Sequence, residues 1–595
     1  SVRAETLLVG TRPVTRYLLI GAILSAALLP PEGRAAGPYR VAARHNAAVK
    51  MRDGTILRAD VYTPADGRFP VLLQRTPYDK ATRAQVSLDL AARGYVVVVQ
   101  DVRGRHRSDG TWYPFANETQ DGYDTVEWAA SLPGSDGRVG MFGRSYGGAT
   151  QLLAAIAQPP HLAGICPMLT ASNYQDGWTY SGGAFQQFFN QSWVSSLARD
   201  AVSRWLDRRW SEPAGSAALP LSGYPVLELD LPRGEALTRA LAPYYLDWLA
   251  HPGYDDYWKR WSIEEHYEHI RVPVLTVAAW YDIFQRGSLR NYQNLKSRNQ
   301  ESRHLLIAIG GHAGSGRKIG AVDFGKEAEF RENEITRQWY DYLFHGARNE
   351  FSAKPVRIFV MGRNQWREED EWPVSRARSV RYYLHSGGRS ASLKGDGALS
   401  RAVPGTESPD HYLYDPANPV PTAGGPLCCD PGKLAPGPQD QRPVELRPDV
   451  LVYSTPPFRE DMEFTGPVSA ELYVGSSAVD TDFTAKLVDV WPDGFAQNLT
   501  DGILRMRYRR REPSEWLKPK EVYRITIDLA ATSNLFRKGH TLRLEISSSN
   551  FPRFDRNLNT EENPGEGRRF VTAKNAVYHD ARRPSALQLW VVPSR

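Results

Sequence analysis

Three cysteines in 595 residues are too few for a disulfide framework or a Cys-based zinc site. Cys166, in AGICPML, follows an apolar run and is expected as a buried, inert thiol. Cys428 and Cys429 are neighbours in GGPLCCDPG. Adjacent cysteines pair only as a strained ring, so two free thiols are expected. The chain also lacks a Lys/Arg block interleaved with aromatics. Its densest basic run, Arg509–Arg511 in MRYRRRE, reads as a solvated strand edge, and a net charge of +6 is small for this length. Nucleic acid is therefore not an expected partner. No dinucleotide or phosphate-cradling glycine motif occurs, and there is no internal repeat. Asp480 and Asp482, in SAVDTDF, suggest a calcium loop, but capping a turn is their expected role. Neither metal nor cofactor is expected. Beyond residue 36 no apolar run is long enough to span a bilayer, so stable membrane insertion of the mature chain is not expected.

The composition that remains, 41% hydrophobic and 24% charged, is that of an ordinary globular protein, long enough for two to four domains. Trp and Tyr are plentiful, 16 and 29, which suits an apolar pocket with polar handles. At the N-terminus, Arg12 and Arg16 precede an apolar run from Tyr17 to Leu29 and small residues at Ala35 and Ala36. That order matches a secretory signal peptide over residues 1–36 and predicts a secreted or periplasmic bacterial protein. The oligomeric state is not readable.

From about residue 40, β signals lead into buried strands alternating with helices: FPVLLQRTPY, then QVSLDLAARGYVVVVQDVRG, DGYDTVEWAASLP, GRVGMFG, GATQLLAAIAQ and LAGICPML. This alternation argues for a parallel sheet covered on both faces. It stops over residues 172–270, a Trp- and Tyr-rich stretch with helical segments, read as an insertion. It resumes over 271–351 with VPVLTVAAWYD, SLRNYQNLKS, RHLLIAIGGHAG and a closing helix. From 352 to 595 short alternating strands separated by Pro, Gly, Asn and Asp turns predict a β-sandwich or jelly roll.

Gly143-Arg144-Ser145-Tyr146-Gly147 fits G-x-S-x-G between a predicted buried strand and a predicted helix, the context that holds a nucleophilic serine clear of a sheet. A serine hydroxyl needs a base, and the base an orienting carboxylate. In an α/β-hydrolase the order is Ser, acid, His, each at the C-terminal end of a strand. Asp282 ends VPVLTVAAWYD, and His312 follows HLLIAIGG one strand–helix–strand step later. His304, at the opposite end of that strand, is expected to be solvated. The oxyanion needs two donors: the backbone N–H of Tyr146, and a group from the loop LLQRTPYDK, where Tyr78 offers its phenol.

TPYDK, DVRGRHRSDG, GRVGMFGRSYGG, WYDIF, the Gly–His loop and the β-rich C-terminal region together resemble the bacterial cocaine esterase family. That family lies within the X-Pro dipeptidyl-peptidase-like serine hydrolases, beside α-amino acid ester hydrolases and glutaryl acylases. The resemblance covers nearly everything after residue 40. It implies an α/β-hydrolase domain (37–171 and 271–351) with an inserted helical cap (172–270) and a C-terminal all-β jelly roll (352–595). It also implies Ser145, Asp282 and His312 as the triad and Tyr78 with Tyr146 as the oxyanion hole. The histidine loop departs from the family pattern, reading IGGHAG without the usual tryptophan.

The α-amino acid ester hydrolases bind a substrate ammonium with carboxylates placed just after the triad aspartate. Here those positions are Phe284 and Gln285, so a cationic amine finds no partner. Phe284 and Trp178 resemble instead the aromatic acyl pocket of cocaine esterase, although both also suit plain cap–core packing. Arg144 and Arg286 flank the site in sequence and are expected in salt bridges rather than on a substrate carboxylate. The expected function is hydrolysis of small carboxylic esters through an acyl-enzyme. An amide or β-lactam side-chain acylase and a catalytically inactive binding protein are the alternatives.

Overall fold

The computed structural model describes residues 37–210, 239, 241–297, 303–312, 316–510, 514–562, 567 and 569–593. The stretch read as a signal peptide, residues 1–36, lies outside them. Among the described residues no helix is long and apolar enough to cross a membrane.

Ten strands form the first sheet: β1 (Val41–Lys50), β2 (Ile56–Pro64), β3 (Phe69–Thr76), β4 (Val96–Asp101), β5 (Ser135–Arg144), β6 (Leu162–Met168), β7 (Val274–Tyr281), β8 (Arg303–Gly311), β9 (Val356–Val360) and β10 (Gln365–Glu369). Their order is β1-β2-β4-β3-β5-β6-β7-β8-β9-β10. From β4 to β9 neighbours run parallel, while β1, β2 and β10 pair antiparallel. The apolar runs are continuous because both faces are covered. Val96 and Val98 enter one core, Val97 and Val99 the other.

The helices that matter for the site are α1 (Ala84–Ala91), α2 (Glu118–Ala130), α3 (Tyr146–Ile156), α4 (Gln187–Trp210), α5 (Pro243–Ala250), α6 (Gln285–Ser297) and α7 (Glu332–His345). Small residues let α3 lie close on the sheet: Gly147, Gly148, Ala149, Ala154 and Ala155 are all buried. α4 and α5 fall within residues 172–270, which also hold a two-residue hairpin, Tyr180–Ser181 against Ala184–Phe185.

The chain is an α/β-hydrolase fold joined to an all-β region. Twelve strands from Arg378 onward form a second, mostly antiparallel sheet system. Its long strand Met462–Ser476 pairs with both Tyr523–Phe536 and Ala586–Val591. One continuous apolar core runs from Ile307, Ile309 and Ile358 of the first sheet into Leu472, Phe483 and Leu544 of the second.

Several expectations are corrected. Val356–Val360, read as the first strand of the C-terminal β region, extends the first sheet beside β8, and Gln365–Glu369 follows it. Apolar periodicity alone does not say which sheet edge a strand joins. Cys428 and Cys429 are not free thiols but a disulfide. Side chains of adjacent residues in an extended chain point apart, and a φ of 79° at Cys429 turns them together. Asp480 and Asp482 do not cap a turn; their buried carboxylates pair with Arg507 at 2.6 Å and Arg505 at 2.9 Å. Arg509 is not on a strand edge. It follows a 3₁₀ turn over Met506–Tyr508 and pairs with Glu515. His304 is buried rather than solvated. It packs against Trp339 and Phe351 with Nε2 3.0 Å from the Phe351 carbonyl, and burial lowers its pKa. The expected burial of Cys166 is found, and burial raises its pKa.

Candidate active site

β5 ends in a turn that few residues tolerate. Ser145 has φ 58° and ψ −124°, a costly conformation for a residue with a Cβ. A Cβ on Gly143, itself at φ 127°, would sit 2.9 Å from the Gln74 amide, and one on Gly148 2.9 Å from Thr170. The glycines of the motif thus make room for the bend and for α3 against the sheet. The Ser145 N–H donates to Met168 O, and its carbonyl accepts from Gly148 and Ala149. The hydroxyl is left at the N-terminus of α3, where developing negative charge is favoured.

Asp282 directly follows β7. One carboxylate oxygen accepts the Phe284 N–H at 2.7 Å, and the other lies 2.7 Å from His312 Nδ1. His312 directly follows β8, with Nε2 2.9 Å from Ser145 Oγ. With Nδ1–H donated to the carboxylate, Nε2 is free to accept from the serine. All three groups are at least nine-tenths buried. The Ser, Asp and His foreseen in sequence therefore meet at the C-terminal ends of β5, β7 and β8.

Tyr78 lies just past β3 and is half-buried. Its hydroxyl accepts the Trp193 indole N–H at 2.9 Å and is hydrogen-bonded to Ser145. Burial raises its pKa, with the bonds from Trp193 and Ser145 pulling the other way. Burial thus favours the protonated phenol, whose oxygen carries the Trp193 indole N–H. The N–H of Tyr146 belongs to the first turn of α3, where helical N–H groups have no intrahelical partner.

Beneath Tyr146 lies a buried network that the sequence reading missed. The Tyr146 hydroxyl donates to Glu118 at 2.8 Å and accepts from the Phe115 N–H at 2.8 Å. Glu118 pairs with Arg75 at 2.6 Å, and neither side chain is more than 4% exposed. Burial raises the Glu118 pKa, against the Arg75 charge. A signal was present: an arginine inside the apolar run FPVLLQRT demands a buried partner. Lys80 of TPYDK is likewise buried, 3.3 Å from Asp101 and 3.8 Å from Asp60.

Trp178 and Phe284 stack with ring centres 4.5 Å apart, and Phe284 meets His312 edge-on at 5.0 Å. Neither ring has accessible surface; Phe115, Phe189 and Trp193 surround Trp178. Arg144 pairs with Glu332 at 2.9 Å and Arg286 with Asp528 at 3.0 Å, as expected of salt-bridge residues. Gln285 is occupied structurally, bonding Trp280 O and the Ala531 backbone of the β region. Among the described residues, three potential metal ligands group at His266, Glu268 and His269, none of which belongs to the arrangement around Ser145.

Residues 53–314 match the X-Pro dipeptidyl-peptidase (S15 family) profile. Residues 349–588 match the X-Pro dipeptidyl-peptidase C-terminal non-catalytic domain. Cocaine esterase from Rhodococcus sp. (strain MB1 Bresler) is 38% identical over 93% of this chain and 99% of its own length. Two solved structures share the fold at 24% identity over 96% of this chain. An aminopeptidase from the marine sediment archaeon Thaumarchaeota archaeon has a TM-score of 0.79 over 99% of its chain, and an α-amino acid ester hydrolase 0.78 over its whole chain. On this full-length likeness, the chain belongs to the cocaine esterase group of the S15 family and is a serine ester hydrolase.

Proposed function

We propose that the enzyme cleaves small carboxylic esters through an acyl-enzyme on Ser145. His312 Nε2 takes the hydroxyl proton as Ser145 Oγ attacks the carbonyl, then returns it to the leaving alcohol. A water attacks the acyl-enzyme along the same proton path and frees the acid. Asp282 fixes the imidazole tautomer and stabilises the imidazolium. The Tyr146 N–H and the Tyr78 hydroxyl hold the tetrahedral oxyanion, each donor contributing about 3–4 kcal/mol. The observation that carries this reading is the unbroken line from Asp282 through His312 to Ser145, at 2.7 and 2.9 Å.

Trp178 and Phe284 support an apolar acyl group from beneath, as the closed interior of an aromatic cluster whose rim meets the substrate. No carboxylate follows Asp282, since Phe284 and Gln285 stand there, which favours uncharged acyl groups over α-amino acyl ones. The N-terminal sequence pattern supports export as part of the same reading. A fluorophosphonate probe is expected to label Ser145, located by peptide mass spectrometry, and Ser145→Ala to abolish hydrolysis of an aryl ester. Turnover surviving in that variant ends the proposal. On a matched ester and amide pair the ester is expected to turn over faster.

A further inference from the structure

The two oxyanion donors differ in how firmly the chain holds them. A backbone N–H in the first turn of a helix is fixed by the helix. A phenol at the end of a rotatable side chain, on a loop, is placed only by what grips that loop and its hydroxyl.

Arg105, in DVRGRHRSDG, makes that grip. It is 2% exposed. Its Nε donates to the carbonyl of Pro77, the residue before Tyr78, at 3.1 Å. Its Nη1 donates to Leu197 O on α4 at 3.3 Å and pairs with Asp200 on the same helix at 3.3 Å. α4 carries Trp193, whose indole N–H bonds the Tyr78 hydroxyl. One planar fork thus ties both ends of the Trp193–Tyr78 bond, the loop below and the helix above. The guanidinium lies 5.5 Å from the Trp112 ring, which limits its tilt, and its charge pulls the Tyr78 pKa down against the rise from burial. His106 supports the same carbonyl, with Nε2 3.2 Å from Pro77 O, and its N–H donates to Asp200 at 3.2 Å.

We propose that Arg105 is a positioning residue, joining the Tyr78 loop to the cap helix so that the phenol meets the oxyanion at the transition state. This rests on the reading of Tyr78 as an oxyanion donor. Arg105 acts through Tyr78 and does not touch the substrate. A lysine keeps the charge but cannot span both anchors with fixed geometry.

The test is a double-mutant cycle on the full-length enzyme, with rates normalised to fluorophosphonate-titrated sites. Tyr78→Phe is expected to lower kcat on an aryl ester about 10²-fold. Arg105→Lys is expected to lower kcat about tenfold, with KM within about twofold, because a small misplacement of a reacting group costs rate rather than binding. Affinity for an arylboronic acid, which forms a tetrahedral adduct on serine, should weaken by the same factor. In the Tyr78→Phe background Arg105→Lys should cost nothing further. Asp200→Asn, which loosens only the helix-side anchor, should follow the same pattern with a smaller loss and keeps the test open if Arg105→Lys folds poorly. Equal losses in both backgrounds, or no loss for either variant, overturn the role of Arg105. No loss for Tyr78→Phe alone overturns the reading of Tyr78 and this proposal with it, which separates the two failures.

Discussion

His312 and His579, one in each half of the molecule, both lie against a serine and carboxylate oxygens, yet the number of carboxylates differs. His312 has a carboxylate on Nδ1 and a neutral hydroxyl on Nε2. His579, fully buried in the β region, has Glu407 3.1 Å from Nδ1 and Asp410 2.8 Å from Nε2. With an acceptor on each nitrogen, both must carry hydrogen, and the ring is an imidazolium. Ser386 lies 3.1 Å from the same Nε2, but its hydroxyl donates to Asp410 at 2.7 Å. By distance alone Ser386, His579 and Glu407 make a triad. What disqualifies it is the second carboxylate, which turns a base into a fixed cation.

The largest effect that would separate the two sites comes from their serines. Ser145→Ala is expected to lower kcat/KM on an aryl ester by about 10⁶-fold, whereas Ser386→Ala should leave it within about twofold. Hydrolysis lost in the Ser386 variant at intact folding would break the contrast. Next come the aspartates. Asp282→Asn should cost about 10⁴-fold in kcat with little change in melting temperature, because the imidazole takes the wrong tautomer. Asp410→Asn should do the reverse, lowering Tm while turnover per titrated site holds.

The His579 site should also make stability depend on pH. Burial alone lowers the His579 pKa, but its bonds and charge contacts with Asp410 and Glu407 outweigh this and raise it. Its stabilisation is therefore complete below the pH at which a free imidazole titrates, and is lost as pH rises through the raised folded value. Burial raises the Asp410 pKa, but His579 and three further hydrogen bonds bring it down to about 2, so its share is complete above the ordinary carboxyl range and is lost only as pH falls through about 2. Thermal melts across neutral to alkaline pH should show Tm declining, and His579→Gln should start lower and flatten that decline. The smallest effect belongs to the surface. Arg144→Ala, which breaks a partly exposed pair with Glu332, should cost at most about 1 kcal/mol and little activity; a large loss of kcat would make Arg144 a substrate contact.

The parallel sheet was legible because burial on both faces writes unbroken apolar strands into the chain. Ser145 was legible because a bend of that sharpness needs glycines around it, and Asp282 and His312 because strand ends carry the chemistry in this fold. The Arg75–Glu118–Tyr146 network was not, although a charge in a buried strand hinted at it. The environment of His304 was not legible either: whether a strand's far end meets water depends on α7 and the turn near Phe351 folding over it. The sheet that Val356–Val360 joins, and the pairing of Cys428 with Cys429, depended on backbone geometry that local pattern does not encode.

What the amino-acid order determined by itself was local: which segments become strands, where the chain turns, and which residue types stand at the turns. Tertiary structure decided which distant groups become partners. Hydrogen bonds and ion pairs act over a few ångströms, and residues far apart in the chain reach that range only when the sheets close. That is why one histidine meets a single carboxylate and a serine hydroxyl, and the other two carboxylates.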